Sequence, residues 1–126
     1  TEWSKSGQHT STTEVELTEN GVKQAQDLSH YVFENQCQDF IEPKNITQIY
    51  VSPRKRAQQT LNLINLPKKE TIPVFTEPNI AEWNYGDYEG ISTHEIHNGC
   101  PNGETAQQVA ARCDHVVAKI MAYQTE

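Results

Sequence analysis

The stretch Val51-Ser52-Pro53-Arg54-Lys55-Arg56-Ala57 is where the chain passes from a strand to a helix, and it is the clearest sign of the architecture. Before it, residues 46–51 are rich in β-forming side chains, which predicts a strand. After it, apolar side chains recur at helical spacing over residues 57–64. Ser52 is expected to cap this helix and Pro53 to occupy its first position. In open α/β sheets such a turn lies at the carboxyl end of a strand, where ligands bind.

Further helices and a second strand are predicted on both sides of this turn. They are a helix capped by Thr18 and running to about residue 35, a strand over residues 72–75, a short helix over residues 92–97 and a helix over residues 105–123. This alternation of helices and strands predicts an α/β domain. Two short strands cannot cover the apolar stripes of three helices, so we expect the complete sheet to contain more strands.

Composition and charge exclude several classes of protein. The chain has 126 residues, a length that allows one domain at most. Its net charge is −7, and its hydrophobic fraction of 35% is low for a compact domain. The acidic balance argues against a general nucleic-acid surface. No apolar run approaches the roughly 18 residues of a membrane-spanning helix, so no membrane partner is expected. The absence of a signal-peptide pattern and the odd number of cysteines favour a cytoplasmic location.

Positive charge is concentrated beside the strand-to-helix turn. Five of the ten basic residues lie between residues 51 and 69, and no acid lies among them: Arg54, Lys55, Arg56, Lys68 and Lys69. Helix N-termini attract anions, and an arginine in the first turn binds phosphate through two parallel hydrogen bonds. A solvated, basic helix start explains the same residues, and charge alone favours that simpler interpretation.

A second candidate is the acidic, aromatic loop over residues 81–90, which contains Glu82, Tyr85 and Gly90. Carboxyl groups packed among aromatic rings can have a raised pKa, as a general acid requires. A surface loop with solvated acids and packed rings is an equally good interpretation of these residues alone.

A third candidate is a metal site, because His94, His97 and Cys100 have a spacing that can bind zinc. A fourth ligand is not evident, since Cys113 is predicted to lie on the buried stripe of the last helix. A zinc-binding interaction domain is therefore the weakest of the three readings. Two other histidines are expected on helix surfaces, namely His30 and His115.

The chain resembles the histidine phosphatase superfamily, whose members have the phosphoglycerate-mutase-like fold. Four stretches carry the likeness in the family's order: residues 1–4 with 17–21, residues 52–60, residues 82–90 and residues 102–105. The resemblance implies a three-layer α/β sandwich with a mostly parallel central sheet, of which residues 1–126 are one partial domain. The amino-acid sequence of residues 1–10 and 82–90 is most similar to that of the fungal sedoheptulose-1,7-bisphosphatase branch.

The resemblance also implies a mechanism, in which a histidine attacks phosphorus, the sugar alkoxide leaves, and water releases phosphate from the histidine. Arg56 matches the phosphate-pocket arginine, and Glu82 matches the general acid. The residues expected to contact substrate are Thr10, Ser11, Ser52 and Tyr85. The implied partner is a small phosphorylated sugar, and no metal or organic cofactor is implied.

The sequence departs from the family pattern in several places. The family's nucleophile lies in an Arg-His-Gly motif that would precede Thr1, and its second catalytic histidine would follow Glu126. We therefore expect these residues to be a piece of an active enzyme, which lacks the first and the later strands. Less chain than usual separates the acidic loop from the Asn-Gly-Glu turn, and Ser11 replaces an expected glycine.

Three alternatives stay open at this point. A phosphoglycerate mutase or a broad-specificity phosphatase of the same fold would share these motifs. A non-catalytic domain that binds phosphorylated ligands at Ser52 and Arg56 would keep them without turnover.

Overall fold

The computed structural model describes residues 1–34, 41–93 and 100–123. Its helices are α1 (Glu2–Ser6), α2 (Glu19–Ser29), α3 (Lys55–Leu63) and α4 (Ala106–Tyr123), and its strands are β1 (Ile49–Val51) and β2 (Val74–Thr76). A π-helical turn over His30–Glu34 continues α2, and short 3₁₀ turns lie at Pro43–Asn45, Lys69–Thr71, Pro78–Ile80 and Gly86–Tyr88. The end predicted for the first helix at residue 35 and most of the short helix predicted over residues 92–97 lie outside the described residues.

Strands β1 and β2 pair in parallel, which confirms the predicted α/β architecture. Val51 lies opposite Thr76 at the end of the ladder, and the Glu77 amide donates to the Val51 carbonyl at 2.8 Å. Because parallel strands end at the same edge, Ser52 and Glu77 leave the sheet side by side. That edge is where the strand-to-helix turn begins.

The start of α3 differs from the sequence prediction. The helix begins at Lys55, and its N-cap is Arg54, which makes no capping bond through its side chain. The prediction that Ser52 caps the helix is wrong, because a carboxylate from another segment takes that role. The Lys55 amide donates to the Glu14 carboxylate at 2.7 Å, where a negative charge also stabilises the helix dipole. The predicted cap of α2 is confirmed, since Thr18 accepts from the Gly21 amide.

The face through which helix α4 meets the rest of the described chain agrees only in part with the predicted apolar stripe, since Val116 is buried as predicted and Cys113 is not. It packs against the Pro78–Ile80 turn, and the face that it presents there holds Arg112, Val116 and Lys119. Cys113 is exposed, so the prediction that it lies on a buried stripe is wrong. A regular apolar pattern predicts a helix well, but the element packed against the helix decides which face is covered.

The buried apolar side chains of the described residues are few, namely Ala25, Val51, Leu66 and Val116. His30 and His115 are exposed, as predicted. Within residues 1–34, 41–93 and 100–123, no helix combines the length and the hydropathy that crossing a bilayer requires.

Candidate active site

A cavity of about 490 Å³ opens at the carboxyl edge of β1, beside the start of α3. Five of the six residues predicted for the site line it, namely Thr10, Ser52, Arg56, Glu82 and Tyr85. They come from the N-terminal segment, the strand-to-helix turn and the acidic loop, which are far apart in sequence. The other lining residues were not assigned a site role from sequence, and they include Trp3, His9 and Arg54.

Backbone hydrogen bonds join the N-terminal segment to the end of the acidic loop. The His9 amide donates to the Ile91 carbonyl at 3.0 Å, and the Gly90 amide donates to the His9 carbonyl at 2.7 Å. The Gln8 side-chain amide donates to the Gly90 carbonyl at 2.9 Å. These bonds place His9 and Thr10 on the cavity wall together with Tyr85.

His9 is a cavity residue that sequence reasoning missed, because its partners are distant in sequence. Its ring meets the Tyr85 ring edge to face, with centroids 4.6 Å apart. Its Nδ1 lies 2.9 Å from the Ile91 carbonyl oxygen. Since a carbonyl only accepts, Nδ1 carries the proton, and Nε2 is the acceptor in the neutral ring.

Arg56 is held at the cavity wall by three backbone carbonyls. Its Nη1 donates to Thr13 at 3.1 Å, and its Nη2 donates to Thr10 at 3.2 Å and to Ser11 at 3.1 Å. These bonds use at most three of the five N–H donors of a guanidinium. The side chain is therefore fixed in place and keeps both positive charge and donors for an anion.

Glu89 also holds residues 10–13, the segment whose carbonyls accept from Arg56. Its carboxylate accepts from the Ser11 amide at 2.7 Å, the Ser11 hydroxyl at 2.8 Å and the Thr13 amide at 3.0 Å. Burial by itself would raise the pKa of Glu89, but the hydrogen bonds from Ser11 and Thr13 outweigh it and hold the pKa below its ordinary value. The only sequence signal for this residue was the acidity of its loop.

Ser11 is fully buried, and both its amide and its hydroxyl face Glu89. Its side chain is not among the described groups that line the cavity. A direct contact between Ser11 and substrate stays a prediction, while its carbonyl already contributes by accepting from Arg56.

Glu82 also lines the cavity, and its exposed carboxylate accepts from the Trp83 amide at 2.8 Å and from the Tyr85 hydroxyl at 3.2 Å. Burial, and then the negative charge of Glu82, raise the pKa of Tyr85 to about 12. The phenol therefore keeps its proton at neutral pH and acts as a donor beside the carboxylate.

The acidic loop packs backbone to backbone against the Asn-Gly-Glu turn. Gly86 has φ +54°, and a Cβ on it would lie 2.2 Å from the Pro101 carbonyl oxygen. A Cβ on Gly103 would lie 2.4 Å from the Asn84 carbonyl oxygen. The Asp87 amide donates to Pro101 at 2.8 Å, so the contact is also hydrogen-bonded. Glycine at both positions is therefore what allows the two segments to pack this closely.

The structure divides the basic residues into two groups. Arg54 and Arg56 line the cavity, whereas Lys55 pairs with Glu16, and Lys69 donates to carbonyls at the end of α3. The Arg54 guanidinium lies 3.5 Å from Glu14, and its buried Nε has no hydrogen-bond partner among the described residues.

Of the three residues predicted to bind zinc, His94 and His97 lie outside the described residues. Cys100 is half-buried. In the part of the chain that the structure describes, no three side chains of the ligand types come together to hold a metal ion.

Comparisons with known proteins agree with this geometry. The histidine phosphatase superfamily (branch 1) matches residues 1–126. Sedoheptulose 1,7-bisphosphatase of Saccharomyces cerevisiae is 39% identical over 142 residues, which cover 95% of this chain and 52% of that protein. An acid phosphatase of Mycobacterium tuberculosis is 37% identical, with 94% of this chain and 57% of that protein covered. The chain thus spans about half the length of the curated relatives it matches.

Solved structures show the same likeness. A structure from Mycobacterium tuberculosis superimposes with a TM-score of 0.75 at 32% identity, covering 98% of this chain and 63% of that one. The α-ribazole phosphatase of Shigella flexneri also gives a TM-score of 0.75, at 22% identity, covering 97% of this chain and 63% of that one. Both matches support the α/β architecture predicted from sequence.

Proposed function

The chain belongs to branch 1 of the histidine phosphatase superfamily, with its phosphoglycerate-mutase-like fold, and from this premise we propose that it forms part of a phosphomonoesterase for a sugar bisphosphate. The observation that carries the proposal is one cavity whose lining includes both Arg56 with Ser52, here called the phosphate wall, and Glu82 with Tyr85, here called the acid wall. A cation with a hydroxyl suits the phosphoryl group, and a carboxyl group suits the leaving oxygen.

The phosphate wall supplies positive charge that needs no rearrangement. Arg56 is already fixed by three backbone carbonyls of the N-terminal segment, so its charge is in place before a ligand binds. In the proposed reaction, a histidine nitrogen forms a bond to phosphorus as the bond from phosphorus to the sugar oxygen breaks. Arg56 balances the negative charge of the transferring group, and Ser52 donates to one of its oxygens.

The acid wall supplies the proton. In our proposal, Glu82 gives its proton to the departing sugar oxygen, while the Tyr85 hydroxyl orients the carboxyl group. Water then attacks the phosphohistidine and releases inorganic phosphate. The nucleophilic histidine is the one that the family resemblance implies, in an Arg-His-Gly motif that the printed sequence does not contain.

A sugar bisphosphate is the proposed substrate class for two reasons. The yeast relative that is 39% identical carries the name sedoheptulose 1,7-bisphosphatase. The cavity also has a second arginine, Arg54, and its volume lies within the roughly 300 to 1,000 Å³ of small-molecule sites. An acid phosphatase at 37% identity makes broader specificity the competing proposal.

The test is a substrate panel on the full-length polypeptide, with sedoheptulose 1,7-bisphosphate, p-nitrophenyl phosphate and 3-phosphoglycerate. We expect phosphate release to be fastest from the bisphosphate. Arg56→Ala should lower kcat/KM by at least about 10²-fold, because the transferring charge loses its main partner. Lys55→Ala is the matched control, since this exposed neighbour pairs with Glu16 instead, and its rate should stay within twofold.

Other outcomes would redirect the proposal. Mutase activity without hydrolysis of the bisphosphate would contradict it, as would an Arg56→Ala variant with nearly full activity. Binding of phosphate esters by the full-length polypeptide without turnover would replace it with the non-catalytic alternative.

A further inference from the structure

We propose that Arg112 and Glu104 are positioning residues, which hold the segment bearing Glu82 so that its carboxyl group faces the cavity. This inference rests on the proposed function, in which Glu82 is the general acid. Neither residue is among the described groups that line the cavity, so both would act through the loop rather than on the substrate.

Arg112 binds the chain that leads into Glu82. Its Nη1 donates to the carbonyls of Asn79 and Ala81, both at 2.8 Å. Its Nε and Nη2 donate to the two carboxylate oxygens of Glu104, at 2.7 and 3.0 Å. One planar guanidinium, projecting from α4, therefore fixes the residue directly before Glu82 and pairs in a bidentate manner with Glu104.

Glu104 binds the chain that leads away from Glu82. Its carboxylate accepts from the Asn84 amide at 2.8 Å, and its own amide donates to the Asn84 carbonyl, also at 2.8 Å. Its carbonyl accepts from the Trp83 indole at 2.9 Å. Together with Arg112, it ties the segment on both sides of Glu82.

Glu82 itself depends on this support because its side chain is exposed, and the bonds it accepts come from its close neighbours Trp83 and Tyr85. Its place relative to a substrate is therefore set by the backbone of its own loop. A general acid must lie within hydrogen-bond reach of the leaving oxygen, and a misplacement of about 1 Å costs about 10²-fold in rate. The Arg112 and Glu104 side chains are only 16% and 22% exposed, so solvent screens their pairing weakly.

A second ion pair on the same helix provides a comparison. Lys119, two turns along α4 from Arg112, donates to Glu77 at 2.8 Å, and Glu77 also accepts from the Asn79 amide. This pair holds the beginning of the same segment, and in the described part of the chain neither residue hydrogen-bonds to residues 81–84. Lys119→Ala is therefore a control that weakens the attachment to α4 without acting on Glu82.

The test uses the dependence of the rate on the leaving group, which a general loss of stability does not change. On the full-length polypeptide, Glu82→Gln should lower kcat by about 10²-fold for a sugar phosphate and by less than about threefold for p-nitrophenyl phosphate, whose leaving group needs no proton. Arg112→Ala should show the same asymmetry, about 10- to 100-fold against less than about threefold, with KM nearly unchanged. Arg112→Lys keeps the charge but loses the planar fork, so its kcat for the sugar phosphate should lie between that of the unmodified enzyme and that of Arg112→Ala. Lys119→Ala should affect both substrates equally.

The double variant Glu82→Gln/Arg112→Ala sharpens the test. If Arg112 acts through Glu82, the double variant should be no slower on the sugar phosphate than Glu82→Gln alone. Should Arg112→Ala fail to fold, Glu104→Gln takes its place, since the amide keeps an acceptor for Asn84 but loses the bidentate charge pair.

The outcomes separate this inference from the proposed function. If Glu82→Gln lacks the leaving-group asymmetry, the acid role in the proposed function fails, and the positioning role falls with it. A different result overturns the positioning role alone. In that result Glu82→Gln shows the asymmetry, but Arg112→Ala or Glu104→Gln lowers kcat equally for both substrates or leaves kcat unchanged for both.

Discussion

The two walls of the cavity are each organised by a partly buried carboxylate, but the partners of these carboxylates differ. On the phosphate wall, Glu89 accepts from two amides and a hydroxyl of Ser11 and Thr13, and no cation appears among these bonds. On the acid wall, Glu104 pairs with Arg112 and accepts from the Asn84 amide. Both carboxylates have a pKa below the ordinary value.

The causes of the two shifts show what each wall depends on. For Glu89, burial is the largest influence, and it acts against the hydrogen bonds that lower the pKa. For Glu104, the Arg112 hydrogen bond is the largest influence and lowers the pKa. The phosphate wall thus depends on neutral donors and keeps the Arg56 charge for a ligand. On the acid wall, Arg112 pairs with Glu104, so its positive charge is already neutralised.

The largest loss of stability is expected from a substitution that disrupts the packing of the acid wall alone. Gly86→Ala should lower the free energy of unfolding by about 3–5 kcal/mol, because the new Cβ meets backbone atoms at 2.2 Å and the residue keeps a positive φ. Gly7→Ala is the matched control, since Gly7 has φ +76° but no atom within 4 Å of the added Cβ. It should cost only about 1–2 kcal/mol, the cost of the left-handed conformation. Urea unfolding midpoints measure both, and equal losses would contradict the crowding argument.

The next effect breaks the phosphate wall. Glu89→Gln should lower the free energy of unfolding by about 2–3 kcal/mol, because one acceptor becomes a donor facing the N–H and O–H groups of Ser11 and Thr13. The loss of that support should also weaken the binding of inorganic phosphate, since Arg56 is anchored on the same segment. Thermal unfolding and phosphate titration of the full-length polypeptide provide the two readouts. An unchanged phosphate affinity would show that Arg56 does not need the Glu89 bonds.

The smallest effect is the pH dependence, which compares the walls without altering the packing. A carboxyl group whose folded pKa is lowered stabilises the fold above its unfolded pKa of about 4.5 and loses that stabilisation as pH falls through the folded pKa. Stability should therefore decline below about pH 4.5. The variants Glu89→Gln and Glu104→Gln should each show a shallower decline, to be measured by urea unfolding between pH 3 and 6. A decline as steep as that of the parent chain in both variants would place the acid sensitivity elsewhere.

Local patterns in the sequence predicted much of the fold. The Thr18 cap and the long last helix follow from spacing and propensity within a few residues, and the structure contains both. The clustered arginines and the acidic loop each left a simpler interpretation open, and the family resemblance is what assigned Arg56 and Glu82 to one site. Both residues line the same cavity. The cap and the last helix depend on side-chain types that one segment carries by itself.

The parts that sequence reasoning missed depend on bonds between distant segments. Ser52 does not cap α3 because Glu14, 41 residues from its partner Lys55, supplies the acceptor. Glu89 bonds to Ser11 across 78 residues, and Arg112 bonds to Ala81 across 31. No local pattern marks such a pair, since Glu14, Glu89 and Arg112 each look like a solvated charge in the sequence and their partners here are backbone groups.

The placement of the two tryptophans gives the molecule a built-in optical reporter. They are the only tryptophans in the chain; Trp3 lines the cavity against Gly90, and Trp83 donates its indole N–H to Glu104. Trp3 therefore reports on the cavity lining, and Trp83 reports on the loop that carries Glu82. In a Trp3→Phe variant, the fluorescence would follow the Glu82 side alone, and in a Trp83→Phe variant it would follow the entry of a ligand beside His9. Ligand entry into the cavity and changes in the surroundings of Glu82 can thus be followed separately with no added dye.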